Sequence, residues 1–397
     1  MKKKIMLIHH SGLIGGGSIS LLNILKELKD DHEVVLYLTT YPNDFHEYLK
    51  KENIESVECS IKFAKITYYS GGNNIFNPKF WYHSLKILTQ KNYWNKILEK
   101  ESPDLVMVNS KVMCWFGKLT KIKKIKSICF VRETVKGNPK NLINNLINNM
   151  LDNFNSVIFL SEFDSSQANL KKAKKIISHD FINMSVYNSN YSKEMACKEL
   201  GINSSSFNIL YVGGVNKIKG IYTLLKALKI LEHENIKIII AGSGLKEGSK
   251  KEWIMRTGQL LFSKKIEKYI DVNRLQGKIE FIGVQKNMSI PYTACDILVF
   301  PMTKSHQARP AFEVGLFRKT VLISNFSNIY EFITDLKNGL YFNNRDEKDL
   351  ADKIMLVKNN SLLRGQLGEA NFANTMSKHL PEFALKELLE EIDQLLK

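Results

Sequence analysis

The stretch Phe-Pro-Met-Thr-Lys-Ser-His-Gln-Ala-Arg-Pro-Ala-Phe-Glu occupies residues 300–313 and continues an apolar strand pattern at residues 296–300. A helical pattern carrying Glu313 begins where the stretch ends. This order places Arg309, His306 and Glu313 beyond the carboxyl end of a strand, where ligands bind in open α/β sheets. Taken alone, the stretch is more typical of ordinary surface charges. The segments on either side favour a ligand site.

Those flanking segments alternate strand patterns with helical patterns. Residues 208–228 contain an apolar strand, a glycine turn with basic residues, and a helix with apolar positions at 3.6-residue spacing. The turn can present Lys219 and backbone N–H groups to a phosphate, because a helix N-terminus favours anions. Further strand patterns lie at residues 238–240, 279–283, 320–325 and 340–342. The alternation predicts a parallel sheet.

This series of segments resembles the C-terminal half of the retaining glycosyltransferases of family 4, which have the two-domain GT-B fold. The order and spacing of the matched positions are more specific than any single glycine motif. The matched positions are Val212, Gly213, Lys219, Gly220, Gly242, Gly244, residues 281–283 and 294–301, Arg309, Glu313, Glu331, Asn338 and Gly339.

The resemblance implies an α/β protein with two Rossmann-like parallel-sheet domains facing each other across a cleft. A chain of 397 residues is long enough for two domains. We expect an N-terminal acceptor-side domain at residues 1–190 and a nucleotide-sugar-binding domain at residues 191–380. The boundary falls at the turn Asn188-Ser189-Asn190. Residues 381–397, with leucines at helical spacing, are expected to cross back to the N-terminal domain.

The first strand pattern, residues 5–8, is followed by a glycine loop and a helix at residues 19–28. A dinucleotide-binding Rossmann domain is the alternative. The glycine pattern G-x-x-G-G-G and a second strand that ends in Thr39-Thr40, without an acid for the ribose, count against it. In the resembled family such a loop borders the cleft. Gly16 and Gly17 are therefore candidates for diphosphate binding, with Ser18 beside them.

Later strand patterns of this half end in polar residues, which is typical of a cleft wall. Asn109-Ser110, Arg132-Glu133 and Ser161-Glu162 each follow an apolar run. Enzymes of family 4 often have a histidine near the strand that residues 128–131 match. Arg132 and Glu133 stand there instead, and they are the candidates for a catalytic role on this side.

A nucleotide-sugar donor leaves as a nucleoside diphosphate, and fixed cations and helix N-termini stabilise its charge. By resemblance, Lys219 neutralises the diphosphate. The usual family arginine is replaced by Gly214, and Arg309, whose planar guanidinium suits phosphate, is the expected substitute. GT-B enzymes usually act without a bound metal, and the chain contains no Asp-x-Asp motif. We expect no metal and no cofactor.

The family signature is a pair of glutamates. Glu313 matches the second, which implies that it binds the ribose hydroxyls. Ser305 occupies the first position. Contact with the donor sugar then falls to Ser305, His306 or backbone groups, with an ordinary loop histidine as the alternative for His306. Gly244 and Gly283 complete the predicted ribose and base site.

The net charge is +17, and lysines concentrate at Lys111, Lys118, Lys121, Lys123, Lys124 and Lys126. A solvated face, a nucleic-acid site and a surface docking on anionic lipid are the three interpretations. Nucleic acid is disfavoured, because no binding motif accompanies the lysines and aromatic residues do not interleave with them. Each lysine near an anionic lipid surface contributes about 1 kcal/mol to binding, which favours the lipid-docking interpretation.

Composition and N-terminal pattern favour an intracellular protein. The five cysteines have no metal-ligand spacing, which is typical of reduced thiols. The apolar run after Met1 is too short for a signal peptide, and no run reaches transmembrane length. We expect a cytoplasmic protein, with peripheral association at the inner face of the cell membrane if the lysines dock there.

The resemblance therefore implies a metal-independent, retaining glycosyltransferase of hexosyl type. Its donor is expected to be a UDP- or GDP-linked sugar. Its acceptor is expected to be a glycan or a lipid-linked glycan in bacterial capsule or O-antigen synthesis. The missing glutamate and arginine leave a non-catalytic GT-B partner subunit open as an alternative, and a nucleotide-sugar epimerase is another.

Overall fold

The computed structural model describes residues 2–39, 42–66, 78–133, 142–187, 190–245, 257–285 and 287–397. The chain forms two compact units: an N-terminal unit, Met1–Phe181 with Pro381–Lys397, and a C-terminal unit, Ile182–Leu380. The sequence analysis places the domain boundary near residue 190, a short way inside the C-terminal unit. Thr40 and the predicted linker residues Asn188 and Ser189 lie outside the described residues.

The N-terminal unit is built on seven parallel strands in the order β3-β2-β1-β4-β5-β6-β7. Most of these strands are apolar and almost fully buried, as a parallel sheet covered on both faces requires. The strand order reverses between β1 and β4. The strands are β1 (Lys4–His9), β2 (Glu33–Leu38), β3 (Val57–Glu58), β4 (Leu105–Asn109), β5 (Lys126–Val131), β6 (Ser156–Phe159) and β7 (Lys174–Ile177).

Helices cover this sheet with two separate apolar cores. One core contains Trp94 and Phe116, and the other contains Leu21 together with Leu388 and Ile392 of the C-terminal segment. The helices are α1 (Gly16–Leu28), α2 (Asp44–Lys51), α3 (Pro78–Glu101), α4 (Phe116–Ile122), α5 (Leu142–Leu151) and α6 (Glu162–Gln167), with a 3₁₀ turn at Lys111–Met113.

The C-terminal unit contains six parallel strands in the order β10-β9-β8-β11-β12-β13. The order reverses between β8 and β11, so each unit has its own topological switch point, where α/β sheets bind ligands. The strands are β8 (Phe207–Val212), β9 (Ile236–Ala241), β10 (Ile279–Gly283), β11 (Ile297–Phe300), β12 (Thr320–Ser324) and β13 (Leu340–Phe342). The predicted pair of parallel-sheet domains is confirmed.

Helices of the C-terminal unit follow the periodicity of the sequence. In α8, for example, Ile221, Leu224, Leu225 and Leu228 are buried on one face. The helices are α7 (Lys193–Glu199), α8 (Ile221–Ile230), α9 (Thr257–Val272), α10 (Ser289–Ala294), α11 (Arg309–Glu313), α12 (Glu347–Asn359) and α13 (Ser361–Lys378). Shorter 3₁₀ turns lie at Met184–Val186, Gln276–Lys278, Val314–Phe317 and Ser327–Ile329.

After α13 the chain returns to the N-terminal unit, as predicted, through α14 (Pro381–Ala384) and α15 (Lys386–Leu396). Ser178 Oγ donates a hydrogen bond of 2.8 Å to the Ala384 carbonyl. The buried carboxylate of Glu391 accepts hydrogen bonds from Ser156 Oγ and from Lys174 Nζ. The returning helices are therefore an integral part of the N-terminal core.

All five cysteines are buried and free. Within the described ranges, no helix is both long and apolar enough to cross a membrane.

Candidate functional site

The glycine turn after β8 packs closely against the turn after β9. Gly214 has φ +58°, and a Cβ at this position would lie 2.4 Å from the Ser243 carbonyl oxygen. Val215 N donates a hydrogen bond of 2.8 Å to the same oxygen. A side chain at position 214 would separate the two turns. This explains why the position that carries an arginine in the resembled family is a glycine here.

The same turn also packs against the loop after β11. Gly220 has φ +81°, and a Cβ on it would lie 1.6 Å from the Pro301 carbonyl oxygen. Thr303 N donates a hydrogen bond of 2.8 Å to the Ile218 carbonyl. The two loops that flank the switch point between β8 and β11 are thereby joined, and they place Lys219 near residues 305 and 306.

Lys219 is a cation without a carboxylate partner among the described residues. Its Nζ lies 4.9 Å from the centroid of the Phe300 ring. Burial lowers the pKa of Lys219 to about 8. The helix that follows, α8, has Gly220 as its N-cap and no side-chain cap. A desolvated ammonium and uncapped N–H groups together favour an anion.

His306 and Ser305 offer polar atoms that no described residue satisfies. His306 Nδ1 is 2.8 Å from the Lys304 carbonyl oxygen, and its ring centroid is 5.4 Å from that of Phe300. Burial, together with the charge of Lys219, lowers the pKa of His306 to about 3. His306 Nε2 and Ser305 Oγ have no hydrogen-bond partner within the described part of the chain. Buried polar atoms normally have one, so a ligand can complete this site.

Arg309 and Glu313, predicted as separate phosphate and ribose ligands, bind each other. Arg309 Nε lies 2.6 Å from Glu313 Oε1, and Tyr292 Oη donates a hydrogen bond of 2.7 Å to Oε2. The two residues are the first and last of α11, one helical turn apart. Burial and the adjacent Glu313 carboxylate raise the pKa of both Tyr292 and Tyr187. A carboxylate has about four acceptor positions, so Glu313 can accept further hydrogen bonds.

The remaining predicted glycines differ in their surroundings. Gly283 has φ +69°, and its carbonyl accepts a hydrogen bond of 2.8 Å from Gly242 N. Gly283 therefore shapes the turns at the ends of β9 and β10. A Cβ on Gly244 would meet no atom within 4 Å, which leaves this position open.

In the N-terminal unit, a buried polar network lies at the switch point between β1 and β4. His9 Nε2 is 3.1 Å from Ser18 Oγ, and His9 Nδ1 is 3.0 Å from Asn109 Nδ2. Asn109 Nδ2 also donates to the Gly17 carbonyl at 3.1 Å. Gly16 opens helix α1 beside this network. Burial and the charge of Arg132 lower the pKa of His9 to about 3.

Arg132 and Glu133 belong to the same region. Arg132 Nε donates to Asn109 Oδ1, and its Nη1 lies 3.1 Å from Asp180 Oδ1. Glu133 accepts a hydrogen bond from Ser110 Oγ. The sequence placed Asn109 in the predicted cleft wall, but His9 and Asp180 were not among the predicted site residues. His9 could have been found as the polar end of an apolar strand, whereas Asp180 carries no such signal.

The structure corrects the predicted lysine surface. Lys111 is buried, with 9% of its surface exposed, in the 3₁₀ turn after β4. Lys123 forms an ion pair of 2.8 Å with Glu99. Lys118, Lys121, Lys124 and Lys126 are exposed. Elsewhere, the described residues contain no group of three His, Cys, Asp or Glu side chains that could hold a metal ion.

The C-terminal unit also matches a family of known proteins. Residues 192–373 match the family described as glycosyl transferases group 1. A glycosyltransferase of Methanocaldococcus jannaschii is 24% identical over 390 residues, covering 96% of this chain and 95% of the relative. The capsular polysaccharide biosynthesis glycosyltransferase CapM of Staphylococcus aureus is 23% identical over 196 residues, covering 49% of this chain and 48% of CapM.

A solved structure extends the likeness to the whole fold. Anabaena Alr3699/HepE, in complex with UDP and glucose, has a TM-score of 0.79 at 17% sequence identity. The match covers 98% of this chain and 99% of that protein. The protein thus has the GT-B fold, and its residues 192–373 match the family described as glycosyl transferases group 1.

Proposed function

We propose that this protein transfers a hexosyl group from a nucleotide sugar to a glycan or lipid-linked acceptor, with retention and without a metal ion. One observation carries the proposal. Lys219 is a half-buried cation without a described counterion, at an uncapped helix N-terminus within the matched residues 192–373. This arrangement suits the diphosphate of a nucleotide-sugar donor.

The donor chemistry follows from the charge that develops as the sugar leaves. Lys219 and the N–H groups of α8 stabilise the departing diphosphate, and such fixed groups need no rearrangement at the moment of reaction. Ser305 Oγ and His306 Nε2 bind sugar hydroxyls. The pKa of His306 is about 3, so its imidazole is neutral near pH 7 and can donate or accept a hydrogen bond.

Glu313 is proposed to accept hydrogen bonds from the ribose, beside Gly244 and Gly283. Arg309 fixes this carboxylate through their ion pair and has a secondary part in phosphate binding. The complex of Alr3699/HepE with UDP and glucose favours UDP as the nucleotide. Arg132 and Glu133 are proposed to act on the acceptor side, and Gly16 and Gly17 are proposed to take part in diphosphate binding.

The acceptor is proposed to belong to bacterial surface polysaccharide synthesis. Its support is the similarity to CapM, which is named for capsular polysaccharide biosynthesis. The exposed lysines Lys118, Lys121, Lys124 and Lys126 supply the proposed contact with an anionic membrane surface.

Nucleotide binding to Lys219→Ala tests the donor site, with Lys217→Ala as the matched control. Lys217 lies in the same turn and is exposed. Removing Lys219 should weaken UDP binding by about 1.5–3 kcal/mol, the contribution of a charge-assisted hydrogen bond, and should change uridine binding little. Isothermal titration calorimetry measures both. Equal UDP binding by Lys219→Ala and Lys217→Ala would remove the basis of the proposal.

Catalysis is tested by incubating the protein with UDP-sugars and extracted lipid-linked glycans. Transfer of labelled sugar to the extract is the expected result. Interconversion of free UDP-sugars without transfer would identify an epimerase instead.

A further inference from the structure

The N-terminal unit contains a cavity with a volume of about 160 Å³, and its lining residue His10 lies beside His9 of the polar network. Three lysines and two histidines line it, and no lining residue is acidic. The lining residues are His10, Thr39, Lys62, Phe63, Lys65, Tyr82, His83 and Lys86.

The segment that supplies Lys62 and Lys65 is held firmly in place. Ala64 N donates to Gln90 Oε1 at 2.9 Å, and Trp115 Nε1 donates to the Ala64 carbonyl at 3.0 Å. Ile66 N donates to the Val112 carbonyl at 2.8 Å. Phe63, on the same segment, is buried. The backbone around Lys65 is therefore fixed by hydrogen bonds before any ligand arrives.

The charges around this cavity repel each other. Burial, together with the charges of Lys62 and Lys86, lowers the pKa of Lys65. Within the described residues, neither Lys65 nor Lys86 forms an ion pair. In the sequence, residues 59–98 contain six lysines and no Asp or Glu. The like charges of Lys62 and Lys86 disfavour the charged form of Lys65, and an oxyanion in the cavity would relieve this repulsion.

His10 adds a neutral donor to the lysines. It lines the cavity with only 7% of its surface exposed, and its Nδ1 has no hydrogen-bond partner among the described residues. Burial and the nearby charges of His9 and Lys65 lower its pKa, so the imidazole is neutral near pH 7. Thr39 and Tyr82 also line the cavity, and the Thr39 hydroxyl is held by the Ile61 carbonyl and by Phe63 N.

We propose that this cavity binds a phosphate group carried by the acceptor. Phosphate is a compact oxyanion of more than one charge, and lysine ammonium groups bind it as point charges. Three lysines around one small cavity match such a group better than they match a single carboxylate. The assignment to the acceptor rests on the proposed function, because the cavity lies in the N-terminal unit and the proposed donor site lies within residues 192–373. The phosphate site itself does not depend on it.

The test is calorimetric titration with inorganic phosphate in a Lys219→Ala background, which removes the proposed donor phosphate site. The Lys65→Gln/Lys86→Gln double variant should lose affinity by at least about tenfold, since each charge-assisted contact is removed. Lys91→Gln/Lys96→Gln is the control, because it removes the same total charge from α3, the helix that carries Lys86, at positions outside the cavity. Equal phosphate affinity in the two double variants would overturn the proposal.

Thermal melting separates loss of the site from loss of the fold. Without phosphate, Lys65→Gln should melt at a higher temperature than the native protein, because it removes a partly desolvated and repelled charge. The rise in melting temperature on adding phosphate should shrink, since ligand bound only to the native state stabilises it. The proposed site would be overturned if Lys65→Gln melts at a lower temperature than the native protein and phosphate raises both melting temperatures equally.

Two further ligands identify the source of the phosphate. Glycerol phosphate represents a soluble acceptor, and phosphatidylglycerol vesicles represent a lipid. Loss of either interaction in Lys65→Gln/Lys86→Gln, but not in the control, supports the site and names its source. Normal binding of both by the variant would contradict it. If Lys219→Ala binds UDP as tightly as the native protein, the donor-site proposal alone is wrong. The proposed phosphate site in the N-terminal unit is unaffected by that outcome.

Discussion

At the scale of single residues, the ionisation of Lys219 links the candidate donor site to the stability of the fold. Its pKa is about 8 in the folded protein, against an ordinary value of 10.5. Between these pH values the unfolded chain binds more protons than the folded chain, so the free energy of unfolding rises with pH. The rise is at most about 3 kcal/mol, and partial exposure of the side chain reduces it.

Lys219→Met should therefore be more stable than the native protein below pH 8, and this advantage should vanish as pH approaches 10.5. Urea unfolding across this range measures the difference. Lys217→Met serves as the control, because an exposed lysine has no burial penalty to relieve. If the native protein and Lys219→Met show parallel pH profiles, the ammonium of Lys219 is solvated.

Glu313→Gln tests the Arg309–Glu313 pair, whose side chains are 14% and 10% exposed. Removing the carboxylate charge leaves the guanidinium buried without its partner, which costs about 3–5 kcal/mol in buried pairs. The double variant Arg309→Met/Glu313→Gln should recover most of this loss. Chemical denaturation measures both values.

Glu369→Gln provides the comparison, because its partner Arg318 forms an exposed ion pair, with side chains 51% and 58% exposed. That change should cost less than about 1 kcal/mol. Similar losses of unfolding free energy for Glu313→Gln and Glu369→Gln would show that the Arg309–Glu313 pair behaves like an exposed ion pair.

The Glu313 carboxylate is also predicted to distinguish ribose from dideoxyribose. Native protein should bind UDP more tightly than 2′,3′-dideoxy-UDP, because two hydroxyl donors are lost in the analogue. Glu313→Gln should reduce this difference in affinity. Calorimetry without urea, under conditions in which both proteins are fully folded, measures it. Equal native affinities for the two nucleotides would argue against the ribose assignment.

Candidate site residues could be predicted from the sequence where they lie next to a recognisable local pattern. Lys219 follows a glycine turn, and Ser305 and His306 follow an apolar strand, so both segments could be selected from the sequence. The contact of Arg309 with Glu313 was not anticipated, although their four-residue spacing on a helix allows it. Asp180 and Tyr187 were missed because their partners, Arg132 and Glu313, are distant in sequence.

At the scale of elements, the returning helix α15 is predicted to stabilise the N-terminal unit. Leu388 is fully buried in its core. Leu388→Ala should lower the free energy of unfolding by about 2–5 kcal/mol, since truncation leaves a cavity. Tryptophan fluorescence can follow this unfolding, because Trp94 and Trp115 are buried in the same unit.

Leu362→Ala is the control, because Leu362 lies on α13 with 72% of its surface exposed. Its effect should be within about 0.5 kcal/mol. A comparably small effect of Leu388→Ala would mean that α15 is dispensable to the N-terminal core.

Elements were predicted best where apolar runs were continuous. Strands β8, β9 and β11 are buried on both faces, so almost every position is apolar and the strand is visible without alternation. By contrast, β3 consists of the two exposed residues Val57 and Glu58 and gives no such signal. Its place at the sheet edge comes from pairing with β2, which is a tertiary effect.

At the scale of the whole molecule, the net charge of +17 predicts binding to anionic surfaces that weakens with salt. Exposed charges are screened over roughly 10 Å at 0.1 M salt. If the lysine surface docks on lipid, Lys118→Gln/Lys121→Gln/Lys124→Gln should sediment less with phosphatidylglycerol vesicles and should bind UDP normally.

Lys171→Gln/Lys172→Gln/Lys175→Gln removes the same charge from another exposed lysine group, at the start of β7 and on the segment before it. Equal loss in both triple variants would indicate a general effect of net charge. Sedimentation of the first variant at the native level would show that its lysines are only solvated.

The return of α15 to the N-terminal unit also constrains how the protein is made. On the ribosome, residues 182–380 emerge before the residues that complete the N-terminal core. At a synthesis rate of about 5–20 residues per second, this delay is roughly 10–40 s. During that time the sheet face later covered by Leu388 and Ile392 is open to chaperones and to other nascent chains. The C-terminal unit, whose residues are contiguous, can finish folding first.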